Sequence, residues 1–191
     1  QLRGTDPGPA DAQLLVQRTG GNPFYVTELS RASGELPAGV RDVLRDRVDR
    51  LGSEVVSVLE AAAVVGEDFE TWMVAETGDL SPEATALALD KAYRAGLVRE
   101  SRTGRSHTFS HALVIDALLD GRSAAWLAVR HERCARALDR TAAGRPELLA
   151  ARAGHWIAAV ELGPDRAAAA VEACIQAAAV ARARHAPEQA A

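Results

Sequence analysis

The stretch SPEATALALDKAYRAGLVRESRTGRSHTFSHALVIDALL, residues 81–119, decides the fold of this chain. It opens with Ser81-Pro82-Glu83, a capping residue, a proline for the first turn and an acid near the helix start, which together predict a helix. Two short β-prone runs follow at 97–101 and 106–109, and the glycine-containing turn between them predicts a hairpin. The apolar pattern then returns to helical spacing over 112–120.

Helical patterns also precede this stretch. Apolar residues at 40, 43, 44, 48 and 51 recur every three or four residues, which predicts an amphipathic helix with a charged outer face. The segment 53–65 has little polar surface and is predicted to be a core helix with Ser53 as its N-cap. A short helix anchored by Phe69 is predicted over 69–76. From Ser53 onward the predicted order is helix, helix, helix, hairpin, helix, which is the winged-helix arrangement.

Longer helices are predicted after residue 121, separated by short segments that contain glycine and proline. They span about 123–141, 146–162 and 164–184. Their lengths and tight breaks are similar to the opening of a TPR-like helical-repeat solenoid. Two short helices are predicted near the start of the chain, at 11–18 and 23–32. The sequence therefore predicts a mainly α fold in three parts: a helical segment at 1–35, a winged-helix domain with one β-hairpin at 36–121, and the start of a helical-repeat arm at 122–191.

The composition restricts both the interior and the partners. Hydrophobic residues make up 48% of the 191 residues but aromatic residues only 4%, since alanine fills much of the difference. Alanine is the best helix former and buries little area, so closely packed helices are expected. The formal net charge is −4, so the chain lacks the basic balance of a dedicated nucleic-acid binder.

The cysteines and the absence of long apolar runs indicate the compartment. Cys134 and Cys174 lie in alanine-rich stretches without a CxxC pair, which indicates buried reduced thiols. No apolar run approaches the roughly 20 residues that a membrane span needs, and no signal peptide opens the chain. We therefore predict a cytoplasmic protein. Because the chain begins at Gln1 without a methionine and ends at Ala191 inside a helical pattern, we expect it to be a piece of a longer protein.

Three blocks of sequence carry a family resemblance. They are TGGNPFYVTEL at 19–29, LPAGVRDVL at 36–44 continued by AAAVVGEDF at 61–69, and HTFSHALVIDAL at 107–118. In this order they resemble the region after the P-loop domain of bacterial STAND-type signalling ATPases. That class includes large LuxR-family transcriptional regulators and ATPase modules attached to nucleotide cyclases. The resemblance covers essentially the whole chain.

The resemblance implies a nucleotide-switched protein. In that family, ADP bound between the P-loop domain, a small helical domain and a winged helix holds a closed state, and exchange for ATP in the presence of inducer opens it. The resemblance implies that Asn22 and Pro23 pack near the adenine. It also implies that His111 faces the β-phosphate, where an imidazole can donate a hydrogen bond to an oxygen. Around His111 the sequence reads Phe-Ser-His-Ala, in place of the Met-His-Asp of eukaryotic relatives.

Cofactors and partners follow from the same resemblance. ADP or ATP with Mg²⁺ would belong to the parent protein, whose P-loop domain would lie upstream, and the isolated chain is expected to hold no cofactor. An unknown inducer or protein partner is expected on the helical arm, and DNA would be bound only by a separate domain. The sequence contains no GxxxxGK[ST] motif, so the chain alone is expected to hydrolyse nothing. No catalytic residue, metal site or membrane partner is predicted.

The main alternative is a stand-alone winged-helix DNA-binding regulator with a helical dimerisation tail. A recognition helix presents Arg, Lys, Asn or Gln to base edges, whereas the helix predicted at 81–95 carries two acids and two bases that cancel. The hairpin is more basic, with arginines at 99, 102 and 105. A purely structural scaffold is a third hypothesis. The charge balance of the 81–95 helix favours the signalling module over the DNA-binding regulator.

Overall fold

The structure, a computed structural model, describes residues 38–101, 106–141 and 145–185, with side-chain environments from residue 44 to residue 183. This part of the chain is mainly helical, with eight α-helices and one antiparallel sheet. The helices are α1 Ala38–Asp49, α2 Ser53–Val65, α3 Thr71–Gly78, α4 Pro82–Arg94, α5 Ala112–Leu119, α6 Ala124–Thr141, α7 Leu149–Ala158 and α8 Pro164–His185. The strands are β1 Asp68–Glu70, β2 Val98–Glu100 and β3 Ser106–Phe109. The helices predicted at 11–18 and 23–32 lie outside the described residues.

Helix α2 forms the centre of the larger core, as predicted from the few polar residues in its sequence. Val55, Val58 and Leu59 are buried on it, and α1, α3, α4 and α5 pack around it. Fully burying one leucine of this kind contributes roughly 2 kcal/mol to folding. The buried side chains of this core all lie between Leu44 and Leu118, so α1 to α5 and the sheet enclose it together.

The sheet has three strands in the order β1-β3-β2, one more than the predicted hairpin. The hairpin of β2 and β3 is confirmed, but the prediction that Phe69 anchors a helix is wrong. Phe69 lies in β1, opposite His107 of β3, and the helix begins two residues later. Strand β1 exists because β3 supplies its hydrogen bonds and Phe109 packs on Phe69, with the ring centroids 5.2 Å apart. A pattern within 69–76 carries no sign of that distant partner.

Two predicted helix starts had different outcomes. At α4, Ser81 is the N-cap and its hydroxyl accepts a hydrogen bond of 3.1 Å from the Ala84 N–H, as predicted. At α2, the predicted N-cap Ser53 is instead the first helical residue, and Gly52 occupies the cap position with a φ of 91°. That φ favours glycine, so the turn between α1 and α2 shifts the cap by one residue.

Helices α6, α7 and α8 pack in succession, with α6 also contacting α2 and α3. The single helix predicted over 146–162 is wrong, because 3₁₀ turns at Pro146–Leu148 and Val160–Leu162 flank the ten residues of α7. Gly163 follows the second turn with a φ of 134° and ends the segment before α8.

A second core joins these helices and is built mostly from alanine. Its buried members are Ala135, Ala153, Trp156, Ala159, Ala170 and Ala173. Small side chains let helices approach closely, which agrees with the low aromatic content. None of the helices in the described ranges is long and apolar enough to cross a membrane.

Candidate functional site

His111 occupies the junction between the sheet and α5. It is the N-cap residue of α5, with extended backbone angles, and its side chain is half-buried. The preceding Ser110 N–H donates to the Leu97 carbonyl at 2.9 Å, and the His111 carbonyl accepts the Val114 N–H at 3.0 Å. The hairpin and the first turn of α5 therefore fix the backbone from which this imidazole extends.

Two arginines from other elements contribute to the electrostatic environment of His111. Arg47 extends from α1 and donates a hydrogen bond to the carbonyl of Ala95 at the end of α4. Arg99 lies on β2, opposite Thr108. Burial lowers the pKa of His111, and the positive charges of Arg99 and Arg47 lower this pKa further. The imidazole is consequently neutral at pH 7 in this environment.

The arrangement forms what we call the His111 cluster: His111, Arg47 and Arg99. Neither arginine forms an ion pair with a carboxylate in the described part of the chain. The positive end of α5 adds to the same region, because the first N–H groups of a helix point out of its N-terminus. An anion is the ligand class that suits two guanidinium groups, an imidazole and a helix N-terminus.

Of the three residues predicted to contact nucleotide, the structure locates only His111. Asn22 and Pro23 lie outside the described residues. Sequence reasoning missed Arg47, which it assigned to a solvated charged face of α1. It treated Arg99 only as part of a basic hairpin. The alternation of charge along α1 contains no signal that one arginine reaches the end of α4, since that contact depends on tertiary packing.

A second polar cluster lies where α6 meets the larger core. The carboxylate of Glu60 on α2 is 5% exposed and forms an ion pair with Arg122, in the segment between α5 and α6. Arg45 on α1 is 3.9 Å from the same carboxylate. The guanidinium carbons of Arg130 and Arg122 lie 4.1 and 5.2 Å from the ring centroid of Trp126. The two contacts of Glu60 with arginines therefore connect α1 and α2 to the segment that leads into α6.

A pair of histidines joins α6 to α7. The Nδ1 atoms of His131 and His155 are 2.9 Å apart, so one ring donates and the other accepts. Burial, together with the smaller effect of the charge of His131, lowers the pKa of His155 to about 4. Within the described ranges, no group of three or more His, Cys, Asp or Glu side chains could hold a metal ion.

Three comparisons with known proteins found no relative of this chain. No protein-family model matches the sequence, and no curated protein or solved structure shows significant similarity to it.

Proposed function

We propose that this chain is the regulatory module of a nucleotide-switched signalling ATPase of the STAND type, part of a transcriptional regulator. In this proposal the module senses whether ADP or ATP is bound, and the resulting conformational change is transmitted to a helical-repeat arm. The observation that carries it is the His111 cluster, in which the positive charges of Arg47 and Arg99 act on the histidine at a helix N-terminus and neither arginine pairs with a carboxylate among the described residues. This is chemistry suited to a phosphate group of a nucleotide.

The element order supports the architecture in this proposal. Helices α2, α3 and α4, then the β2–β3 hairpin and α5, follow the order of a winged-helix domain, which we assign to 36–121. Helices α6 to α8 would form the beginning of a TPR-like arm at 122–191. The Glu60–Arg122 contact would then transmit movement between the two, because it joins α2 to the start of α6.

The remaining partners follow from the role proposed for the module. A P-loop domain upstream would hold the ADP or ATP with Mg²⁺, since this sequence has no P-loop and would not act as an enzyme alone. Asn22 and Pro23 would lie near the adenine. An inducer or protein partner would bind the arm, a separate domain would bind DNA, and the protein would be cytoplasmic.

The alternative of direct DNA binding has less support. On α4, the exposed Arg94 pairs with Asp90 at 2.9 Å, so one of its two basic residues is partly neutralised. Leu87 on the same helix is 66% exposed, and an apolar side chain of this kind suits a protein surface better than a groove of DNA. Fluorescence anisotropy of the chain with labelled duplex at low salt tests this alternative, and tight sequence-dependent binding would establish it.

The proposed phosphate role can be tested on the 191-residue chain itself. Inorganic pyrophosphate is titrated while the His111 imidazole resonances are followed by NMR. Changing Arg47→Gln or Arg99→Gln is expected to weaken binding roughly three- to tenfold, because a charge-assisted contact to an exposed arginine is lost. Arg182→Gln, an exposed arginine on α8, is the matched control and should leave the affinity unchanged.

Two results would decide against the proposal. Equal pyrophosphate affinity in all three arginine variants would remove the His111 cluster from phosphate binding. A reading frame upstream of Gln1 without a P-loop motif within about one to two domain lengths would remove the ATPase context. In a longer protein with that motif, His111→Ala is expected to weaken ADP retention and raise basal output.

A further inference from the structure

A cavity of about 330 Å³ lies between α4 and the sheet, and we call it the α4–sheet cavity. Asp90 and Tyr93 line it from α4, and Glu100 and His107 line it from β2 and β3. Arg99 and Glu100 are adjacent on β2, so their side chains point to opposite faces of the sheet. The cavity is therefore separate from the His111 cluster, to which Arg99 belongs.

The cavity is rich in groups that accept hydrogen bonds. His107 lies opposite Phe69 on one side and Glu100 on the other, and its ring stacks on Phe69 with the centroids 5.8 Å apart. Its Nδ1 atom is buried and has no hydrogen-bond partner among the described residues. Burial lowers the pKa of His107, opposed in part by the Glu100 carboxylate, so the ring is mainly neutral at pH 7.

No lysine or arginine lines the cavity among the described residues. Arg94 reaches Asp90 from one helical turn away, but the two side chains are 76% and 51% exposed. An exposed pair of this kind contributes little to stability, so an incoming cation can replace it at small cost. Glu100 has no ion-pair partner in the described part of the chain.

We propose that the α4–sheet cavity receives an arginine side chain of a partner protein. The guanidinium would bind the carboxylates of Glu100 and Asp90, whose oxygens match its planar donors. His107 would accept a further N–H, and the ring of Tyr93 would lie against the cation. Leu89, buried behind these groups, and the Tyr93 ring would pack on the methylene stem.

The surroundings of the cavity favour a protein over a free amine or a nucleic acid. Leu87 and Tyr93, both on α4, are 66% and 52% exposed, and exposed apolar side chains beside a polar pocket are typical of protein interfaces. The carboxylates of Asp90 and Glu100 would repel phosphate groups. The partner is therefore a protein segment in which an arginine is flanked by apolar residues.

The test uses the 191-residue chain and a blocked tripeptide, acetyl-Leu-Arg-Leu-amide, followed by NMR. Saturable binding in the millimolar range is expected, with shifts confined to the residues that line the cavity. The same peptide with citrulline, which keeps the shape but loses the charge, should bind at least roughly fivefold more weakly. Glu100→Gln should weaken arginine-peptide binding by a similar factor, whereas Glu54→Gln, an exposed glutamate on α2, should not.

Three outcomes would overturn the proposal. The first is that adding peptide produces no saturable change in NMR chemical shifts, and the second is equal affinity for the arginine and citrulline peptides. The third is that the chemical-shift changes are centred away from the α4–sheet cavity. Because none of the lining residues belongs to the His111 cluster, failure here would leave the pyrophosphate result unaffected, and the two proposals can fail separately.

Discussion

The carboxylate of Glu60 on α2 forms an ion pair with the guanidinium of Arg122, which lies between α5 and α6. Glu60 is almost completely buried, whereas the Arg122 side chain is 30% exposed. Burying a carboxylate costs free energy unless cations pair with it, and Arg45 lies 3.9 Å from the same carboxylate. The contact therefore joins the larger core to the segment that leads into α6.

Glu60→Gln is expected to lower the free energy of unfolding by roughly 2–3 kcal/mol, because it removes the buried carboxylate that pairs with Arg122. Arg94→Gln, which removes the exposed ion pair with Asp90, should cost less than about 1 kcal/mol. Urea denaturation of both variants measures the difference. Equal losses would mean that the Glu60 contact is no stronger than a surface pair.

The pair of His131 and His155 predicts a pH-dependent stability. The pKa of His155 is about 4 in the folded chain, whereas an unfolded histidine titrates near its ordinary value of about 6.5. Between these values the unfolded chain binds more protons, so stability is complete above about pH 6.5 and falls as the pH drops towards 4. The total loss is on the order of 3 kcal/mol.

The measurement is the difference in unfolding free energy between wild type and His155→Gln from pH 7 to pH 4. Carboxylates also titrate in this range, and the subtraction removes their contribution. The difference should narrow as the pH falls, since only the wild type loses the stabilisation from a neutral His155. If the unfolding free energies of the two proteins changed in parallel with pH, the lowered pKa of His155 would be contradicted.

Local signals predicted most of the helices but little of the candidate site. The start of α4 could be predicted because Ser81 and the proline after it act on the first turn of their own helix. Strand β1 could not be predicted, because Phe69 is extended only through its pairing with β3. Arg47 was missed for the same reason, since its partner, the Ala95 carbonyl, belongs to another helix. Contacts between distant elements define both the sheet and the His111 cluster.

Anion binding at the His111 cluster is expected to depend on pH. The pKa of His111 is lowered by burial and by Arg99 and Arg47, so the imidazole is neutral at pH 7. A bound anion favours the imidazolium and raises this pKa, so binding takes up a proton and strengthens as the pH falls. Sulfate is a suitable probe, because it stays a dianion throughout the range in which histidine titrates.

NMR titration of the His111 ring with and without sulfate measures this coupling. Its pKa should rise when sulfate is present, whereas the pKa values of His131 on α6 and His155 on α7 should not change. A His111 pKa that is insensitive to sulfate would show that the imidazole does not contact the anion.

The two cysteines should differ strongly in reactivity. Cys134 is fully buried beside Leu138, and burial raises the pKa of its thiol to about 11, opposed in part by the Thr77 hydroxyl. Cys174 is half-buried at the edge of the second core. Since the thiolate is the reactive form, the shift alone makes Cys134 roughly a hundredfold less reactive near neutral pH. Neither of these two cysteines is in a disulfide, and Cys174 is the more accessible of the two to a reagent.

Reaction of the folded chain with DTNB should therefore release one equivalent of thiolate quickly and the second only on unfolding. Cys174→Ser is expected to abolish the fast phase, while Cys134→Ser should leave it unchanged. In denaturant both thiols should react at similar rates, because burial no longer separates them. Release of two equivalents from the folded chain in a single phase would contradict this expectation. It would mean that α6 opens from the core often enough to expose Cys134, and that α3 and α6 do not pack as tightly as described.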